Sequence, residues 1–278
     1  MRDAELSRAT AAARTIVSSL GLAVDDSILL HNSNKVSLRL MPCNIVARLA
    51  PAAEYPAQFE VDLARRLLLA ECPVAALDPR VEPRVYQHDD FAATLWTYCQ
   101  PAADVEISPI EYARALERLH AGMRTVHVQT PHFTDRVEEA QQLVASRDET
   151  PALADEDREV LAHALQTLRQ LVSGRGNDQL LHGEPHPGNV LSSRNGPVFI
   201  DLETCCRGPV EFDIAHAPDA VGELYPNIDR DLVRDCRLLM LAMVTTWRWD
   251  RNDEFPNGRR LGSVRLGQLR EAIARRGL

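Results

Sequence analysis

The sequence predicts an α+β chain in two lobes, a small mixed lobe with antiparallel strands over residues 1–98 and a mainly helical lobe over 99–278. Two patterns carry this prediction. Strand-type alternation dominates the first hundred residues and returns only in short pieces near residues 180–200. Helical spacing takes over from about residue 108, leaving a junction near residues 99–103. A hydrophobic content of 45% over 278 residues is enough to bury a substantial core.

Along the first lobe, Leu6, Ala9, Ala13, Ile16, Val17 and Leu20 share one helical face, and Gly21 is placed to end that helix. From about Ser27 the period changes. Val36, Leu38 and Leu40 alternate with Lys35, Ser37 and Arg39 as a half-buried strand, and residues 45–49 return as its partner after a turn at 41–44. A helix follows over about residues 56–70. A second strand pair, 84–87 and 93–99, closes the lobe. The order is helix, hairpin, helix, hairpin.

In the second lobe Ser108-Pro-Ile-Glu111 combines a capping serine, a first-turn proline and an acid three residues on, a strong helix start. Further helices are expected over 135–146, 155–172, 229–249 and 264–275. Between them, residues 180–182 read as a short strand. Residues 190–191 and 197–200 read as a hairpin around Asn195-Gly196.

Composition narrows the function. Asp and Glu outnumber Lys and Arg by 40 to 31, a formal charge of −9, which argues against a nucleic-acid binder and suits a cationic small-molecule partner. The chain shows no apolar run of membrane-spanning length and no signal-peptide core, so a soluble cytoplasmic protein without a membrane partner is expected. The six cysteines form no C-x-x-C pair and are read as reduced thiols.

The chemistry-bearing run is His182-Gly-Glu-Pro-His-Pro-Gly-Asn189, followed by Asp201 at the end of an apolar strand. Phosphoryl transfer needs an acid that orients the attacking hydroxyl, metal ligands on the phosphates and a cation to anchor the nucleotide. Protein kinases place the acid and a metal-binding Asn five residues apart, the spacing of Glu184 and Asn189, and Asp201 across the hairpin can face the same metal. Arg48 on the second strand and Glu60 on the next helix repeat the kinase pairing of a strand cation with a helix acid, with Arg in place of Lys. Ser33 and Asn34, where a kinase has glycines, can offer donors to phosphates. No G-x-S-x-G or P-loop lysine is present. Trp247, Trp249 and Asp250 are read as a helix edge packing on the core.

These residues, with Val198-Phe-Ile-Asp-Leu-Glu203 and Gly208-Pro-Val-Glu-Phe-Asp-Ile-Ala215, resemble the signature of the aminoglycoside phosphotransferase family, which has a protein-kinase-like fold. The resemblance is strong over 180–218 and weaker over 34–121. It implies Glu184 as the catalytic acid, Asn189 and Asp201 as magnesium ligands, and Arg48 with Glu60 as the phosphate anchor. It also implies that Thr97, Tyr98 and Cys99 meet the base of ATP or GTP, and that Asp213 is structural. The expected activity is γ-phosphoryl transfer to a hydroxyl of an aminoglycoside-like antibiotic. One departure matters. The family has Asp where this chain has Glu184, whose reference pKa is close, about 4.3 against 3.9, but whose carboxylate reaches roughly one C–C bond farther. Misplacement near 1 Å can cost on the order of a hundredfold in rate. The alternatives are a kinase for a choline-like amine or a sugar, and a nucleotide-binding protein that has lost transfer.

Overall fold

The computed structural model describes residues 1–52, 57–101 and 106–278. In chain order its elements are α1 (Asp3–Ser19), β1 (Val24–Asn32), β2 (Val36–Pro42), β3 (Ile45–Pro51), α2 (Ala57–Leu69), β4 (Tyr86–His88), β5 (Phe91–Thr97), α3 (Pro109–Met123), α4 (Phe133–Ala145), α5 (Asp155–Val172), β6 (Gln179–Leu181), β7 (Val190–Ser193), β8 (Gly196–Phe199), β9 (Cys206–Gly208), α6 (Val210–His216), α7 (Asp219–Leu224), α8 (Arg230–Trp247) and α9 (Gly258–Arg276). Short 3-10 turns at Pro187–Asn189 and Leu202–Thr204 flank the β7–β8 hairpin. The chain divides into two compact units, Met1–Val128 with Gly188–Thr204, and Gln129–Pro187 with Cys205–Leu278.

The first unit is built on an antiparallel sheet in the order β1-β2-β3-β5-β4. Helix α1 buries Ala9, Ala12, Ala13, Ile16 and Val17. It packs that stripe against Val36, Leu38, Leu40, Ile45, Ala47 and Leu49 of the sheet. Gly21 follows it at φ +78°, donating to Ser18 O at 3.0 Å; glycine is favoured there because a Cβ disfavours that backbone region. Successive side chains of a strand point to opposite faces. With Ile45, Ala47 and Leu49 buried against α1, Arg48 belongs to the other face, between Ser37 of β2 and Thr94 of β5. Helix α2 buries Glu60 with Val61, Leu63, Ala64 and Leu67. The expected first residue of that helix, 56, lies outside the described residues, as do 102 and 103 of the expected junction.

Strand β1 is an addition to the sequence expectation. It occupies one edge of the sheet and leaves seven of its nine residues exposed, so no alternation marks it. The capping box at α3 is as expected. Glu111 N donates to Ser108 Oγ at 3.4 Å and Ser108 N to Glu111 Oε2 at 3.1 Å, an arrangement worth about 1 kcal/mol. Tyr112 of α3 then packs on Phe199 of β8, ring centroids 6.0 Å apart.

The second unit is mainly helical. Its core gathers Phe133, Val137, Leu161, Leu165, Leu168, Phe212, Leu232 and Leu239 from α4, α5, α6 and α8. Phe133 and Phe212 stack with centroids 4.9 Å apart, and burying each such ring contributes roughly 1.5–3 kcal/mol. Asp229 caps α8 by accepting from Asp231 N and Leu232 N at 3.0 and 3.1 Å. Helices α6 and α7 span only seven and six residues, too short to show a helical period in sequence. Helix α9 begins at Gly258 rather than 264, because its first turns carry Arg259 and Arg260 instead of an apolar stripe. Among the described residues no helix is long and apolar enough to cross a membrane, and all six cysteines are free thiols.

Candidate active site

In the first unit, Arg48, Glu60 and Asp201 come together. Arg48 spans two carboxylates, Nη1 to Glu60 Oε1 at 2.5 Å and Nη2 to Asp201 Oδ1 at 2.6 Å. Glu60 is fully buried, and its Oε1 also accepts from Leu202 N at 3.2 Å, tying α2 to the turn after Asp201. Asp201 itself has φ +69°. That region is uncommon for residues other than glycine, with Asp among the more tolerant, and it recurs at functional positions. Asn189 is buried at the other end of the β7–β8 hairpin, where its carbonyl accepts from Ile200 N at 3.0 Å. The backbone at the base of the hairpin thus joins Asn189 to Ile200, the residue before Asp201.

A fourth charged residue joins this group, and the sequence reading missed it. Lys35 is buried and places Nζ 3.2 Å from Asp201 Oδ1, with an ion pair to Glu203 as well. Burial pushes the Asp201 carboxyl up, but Arg48 and Lys35 together hold it below the ordinary aspartate range. Burial dominates at Glu203, whose carboxyl is raised despite Lys35, with Asp201 and Glu60 adding to the rise. Nothing in the local pattern marks Lys35, which alternates with apolar neighbours like any exposed strand residue.

In the second unit, Glu184 lies on the loop after β6. The fully buried Asp213 of α6 fixes the start of that loop, Oδ2 accepting from His182 N and Oδ1 from Gly183 N, each at 2.8 Å. Gly183 takes φ +89° immediately before the acid. The structural part read for Asp213 is visible in these two bonds. The Glu184 carboxylate pairs with Arg136 of α4, and the Arg136 guanidinium lies 5.2 Å from the centre of the Trp247 ring. Burial alone would raise the Glu184 carboxyl; Arg136, helped by His216 and His186, brings it below the ordinary glutamate range. Burial lowers the His216 imidazole to about 4, so it is neutral near pH 7. Arg136 was also missed, because its partner is 48 residues away.

The remaining expected residues lie in the first unit. Ser33 and Asn34 are exposed in the turn between β1 and β2, with Ser33 Oγ donating to Asn34 Oδ1 at 2.9 Å. Thr97 ends β5, its N–H donating to Ala76 O at 2.8 Å. Tyr98 stacks under Arg39, 3.7 Å from ring centre to guanidinium carbon. Cys99 is half-buried; burial raises its thiol, and a hydrogen bond with Ser193 acts in the opposite direction. Trp247 and Trp249 pack on the helical core, as read.

Two carboxylates held ionised by cations, each on a loop anchored by a second buried acid, suit charge handling in a polar reaction. Magnesium is bound through one or two protein oxygens together with substrate phosphates. Asn189 and Asp201 each carry a side-chain oxygen of that kind, while among the described residues no group of three or more His, Cys, Asp or Glu is arranged to hold a metal.

The sequence pattern of the phosphotransferase enzyme family matches residues 43–237. Among solved structures, the fold is similar to amicoumacin kinase hAmiN in complex with AMP-PNP, Ca2+ and Ami, with a TM-score of 0.72 at 12% identity over 97% of this chain and 96% of that one. It is similar to the GDP complex of wild-type aminoglycoside 2'-phosphotransferase-IIIa, with a TM-score of 0.69 at 14% identity over 92% and 97% of the two chains. It is also similar to choline kinase LicA from Streptococcus pneumoniae, with a TM-score of 0.64 at 12% identity over 94% and 97%. No curated protein sequence matches the chain.

Proposed function

This chain belongs to the phosphotransferase enzyme family, and on that premise we propose that it moves the γ-phosphoryl group of ATP or GTP to a hydroxyl of an aminoglycoside-like small molecule. The observation that carries the reading is the Arg48–Glu60–Asp201 chain of ion pairs, which joins a strand cation, a helix acid and the end of the β7–β8 hairpin in one charged cluster. Phosphoryl transfer relies on positioning and electrostatics more than on covalent help from the protein, and this cluster supplies both.

In this reading Glu184 accepts the proton of the acceptor hydroxyl. An ionised carboxylate is required for that, and Arg136 favours the ionised form. Asp213 keeps the loop backbone fixed, so the carboxylate is presented from a defined place. Asn189 and Asp201 would hold magnesium, which when bound neutralises charge on the phosphates. Thr97, Tyr98 and Cys99, at the end of β5, are assigned to the nucleotide base, and Ser33 and Asn34 to the phosphates. The excess of acidic residues favours a cationic acceptor.

The test is nucleotide consumption by the purified protein, with ATP and with GTP, across panels of aminoglycosides, other hydroxylated antibiotics, choline-like amines and sugars. An aminoglycoside-dependent signal that falls about a thousandfold in Asp201→Ala is expected, the scale for removing one preorganised charge-stabilising group. Turnover that survives Asp201→Ala would refute the metal assignment. A signal confined to amines or sugars would move the acceptor to a metabolite.

A further inference from the structure

Resting on the assignment of Thr97, Tyr98 and Cys99 to the nucleotide base, we infer that Arg39 reads that base and selects guanine over adenine. The register of the sheet gives the ground for it. The face turned away from α1 carries Ser37, Arg48 and Thr94 in one row, and Arg39, Val46 and Trp96 in the next. The rows lie two residues apart, roughly 7 Å along the strands. The first holds the Arg48 ion pairs. The second is a different surface. Trp96 is buried, its indole N–H donating to Thr94 Oγ1 at 2.8 Å, and Val46 lies half-buried between it and Arg39. An apolar ledge beside a charged row, with a guanidinium at its edge, suits a ring whose phosphates lie over the next row.

The Arg39 fork is held from two sides. Its Nε donates to Asn44 Oδ1 at 2.7 Å. Asn44 is itself fixed in the tight turn between β2 and β3, at φ +60° with its N–H on Leu40 O at 2.8 Å. The guanidinium carbon lies 3.7 Å from the centre of the Tyr98 ring, an approach over the ring face. These contacts leave both Nη groups without a hydrogen-bond acceptor among the described residues. Paired donors on a fixed plane match the guanine edge, where O6 and N7 both accept, the commonest specific contact of arginine with a base. Adenine keeps N7 but carries an amino group at position 6, and a guanidinium has no acceptor to meet it. One of the two bonds then becomes a donor facing a donor.

Calorimetric titration of the full chain with GDP, inosine diphosphate and ADP tests this. Hypoxanthine keeps O6 and N7 and lacks only the 2-amino group of guanine. GDP and inosine diphosphate should therefore bind alike, each about tenfold to a hundredfold tighter than ADP. Arg39→Gln offers one donor and one acceptor, the pattern that fits adenine, so its GDP-to-ADP affinity ratio should fall to about one or below. Arg39→Lys keeps a charged donor without the fork and should retain part of the preference. The wild-type comparison stands by itself if a variant folds poorly. ADP binding as tightly as GDP would overturn the inference, as would inosine diphosphate binding no better than ADP, or an unchanged ratio in Arg39→Gln. Each of these leaves the phosphoryl-transfer reading intact. Failure of the wild-type protein to bind any of the three nucleotides would sink that reading and this inference with it.

Discussion

Glu60 and Asp213 are both fully buried carboxylates on helices, one in each unit, and both accept backbone N–H bonds from a loop that carries a proposed active-site acid. Their means differ. Asp213 uses two oxygens for two amides, at 2.8 Å each, and acts on the backbone before Glu184. Glu60 Oε1 accepts from both Leu202 N and the Arg48 guanidinium, whose other arm grips Asp201. The first is a geometric clamp, while the second is a relay of charge. A clamp fails when its hydrogen-bond pattern is broken, even if a polar group remains. A charge relay fails when the charge is lost, even if the hydrogen bonds remain.

The largest effect should come from the acid that the clamp presents. Glu184→Gln keeps size and removes the proton acceptor, and kcat should fall about a hundredfold to ten-thousandfold. Glu184→Asp tests the departure from the family. If the loop is built for the longer side chain, the aspartate loses its reach to Arg136 and kcat drops on the order of a hundredfold. A faster Glu184→Asp enzyme would mean that the native residue impairs the site.

Asn and Gln substitutions then separate clamp from relay. In Asp213→Asn one oxygen can still accept, but the new NH2 must face a backbone N–H. A stability loss of about 3 kcal/mol is expected from the lost charged bond and the stranded donors, seen as a lower denaturation midpoint with reduced kcat. In Glu60→Gln an amide oxygen can still accept from Leu202 N and Arg48 while the charge is lost, so the loss should be smaller, about 1.5 kcal/mol, and should appear mainly as weaker nucleotide binding. Equal losses in the two variants would erase the distinction.

The two halves of this comparison were unequally legible in the sequence. Glu184, Asn189 and Asp201 fall within one short run whose spacing is itself the signal, and the capping residues of α3 are local in the same sense. Arg48 and Glu60 could be paired because a strand and the helix after it hold them. Lys35 and Arg136 could not. Each looks like a surface residue in its own element, and each acquires meaning from a partner 166 or 48 residues away. Strand β1 escaped for a different reason. It is held by backbone pairing to β2 with little burial, and a hydrophobic pattern cannot report bonds that involve no side chain.

Arg136 gives the smallest and most specific effect. It faces Glu184 from α4, with His216 of α6 and His186 of the loop as weaker neighbours, and Asp213 acts on His216 from the same helix. Arg136→Met removes the main influence lowering the Glu184 carboxyl and leaves burial, which raises it. The acidic limb of kcat/KM against pH should therefore move to higher pH, while the rate on the plateau changes less. Stability carries the same sign. A carboxylate depressed in the folded state contributes stability above its unfolded value, about 4.3 for glutamate, and loses that contribution as pH falls through the folded value. Arg136→Met should thus be less stable than the wild type near neutral pH, with the gap closing as the solution is acidified. If the acidic limb stays in place while the plateau collapses, Arg136 serves to place Glu184 in space, and the control of its charge belongs to the histidines.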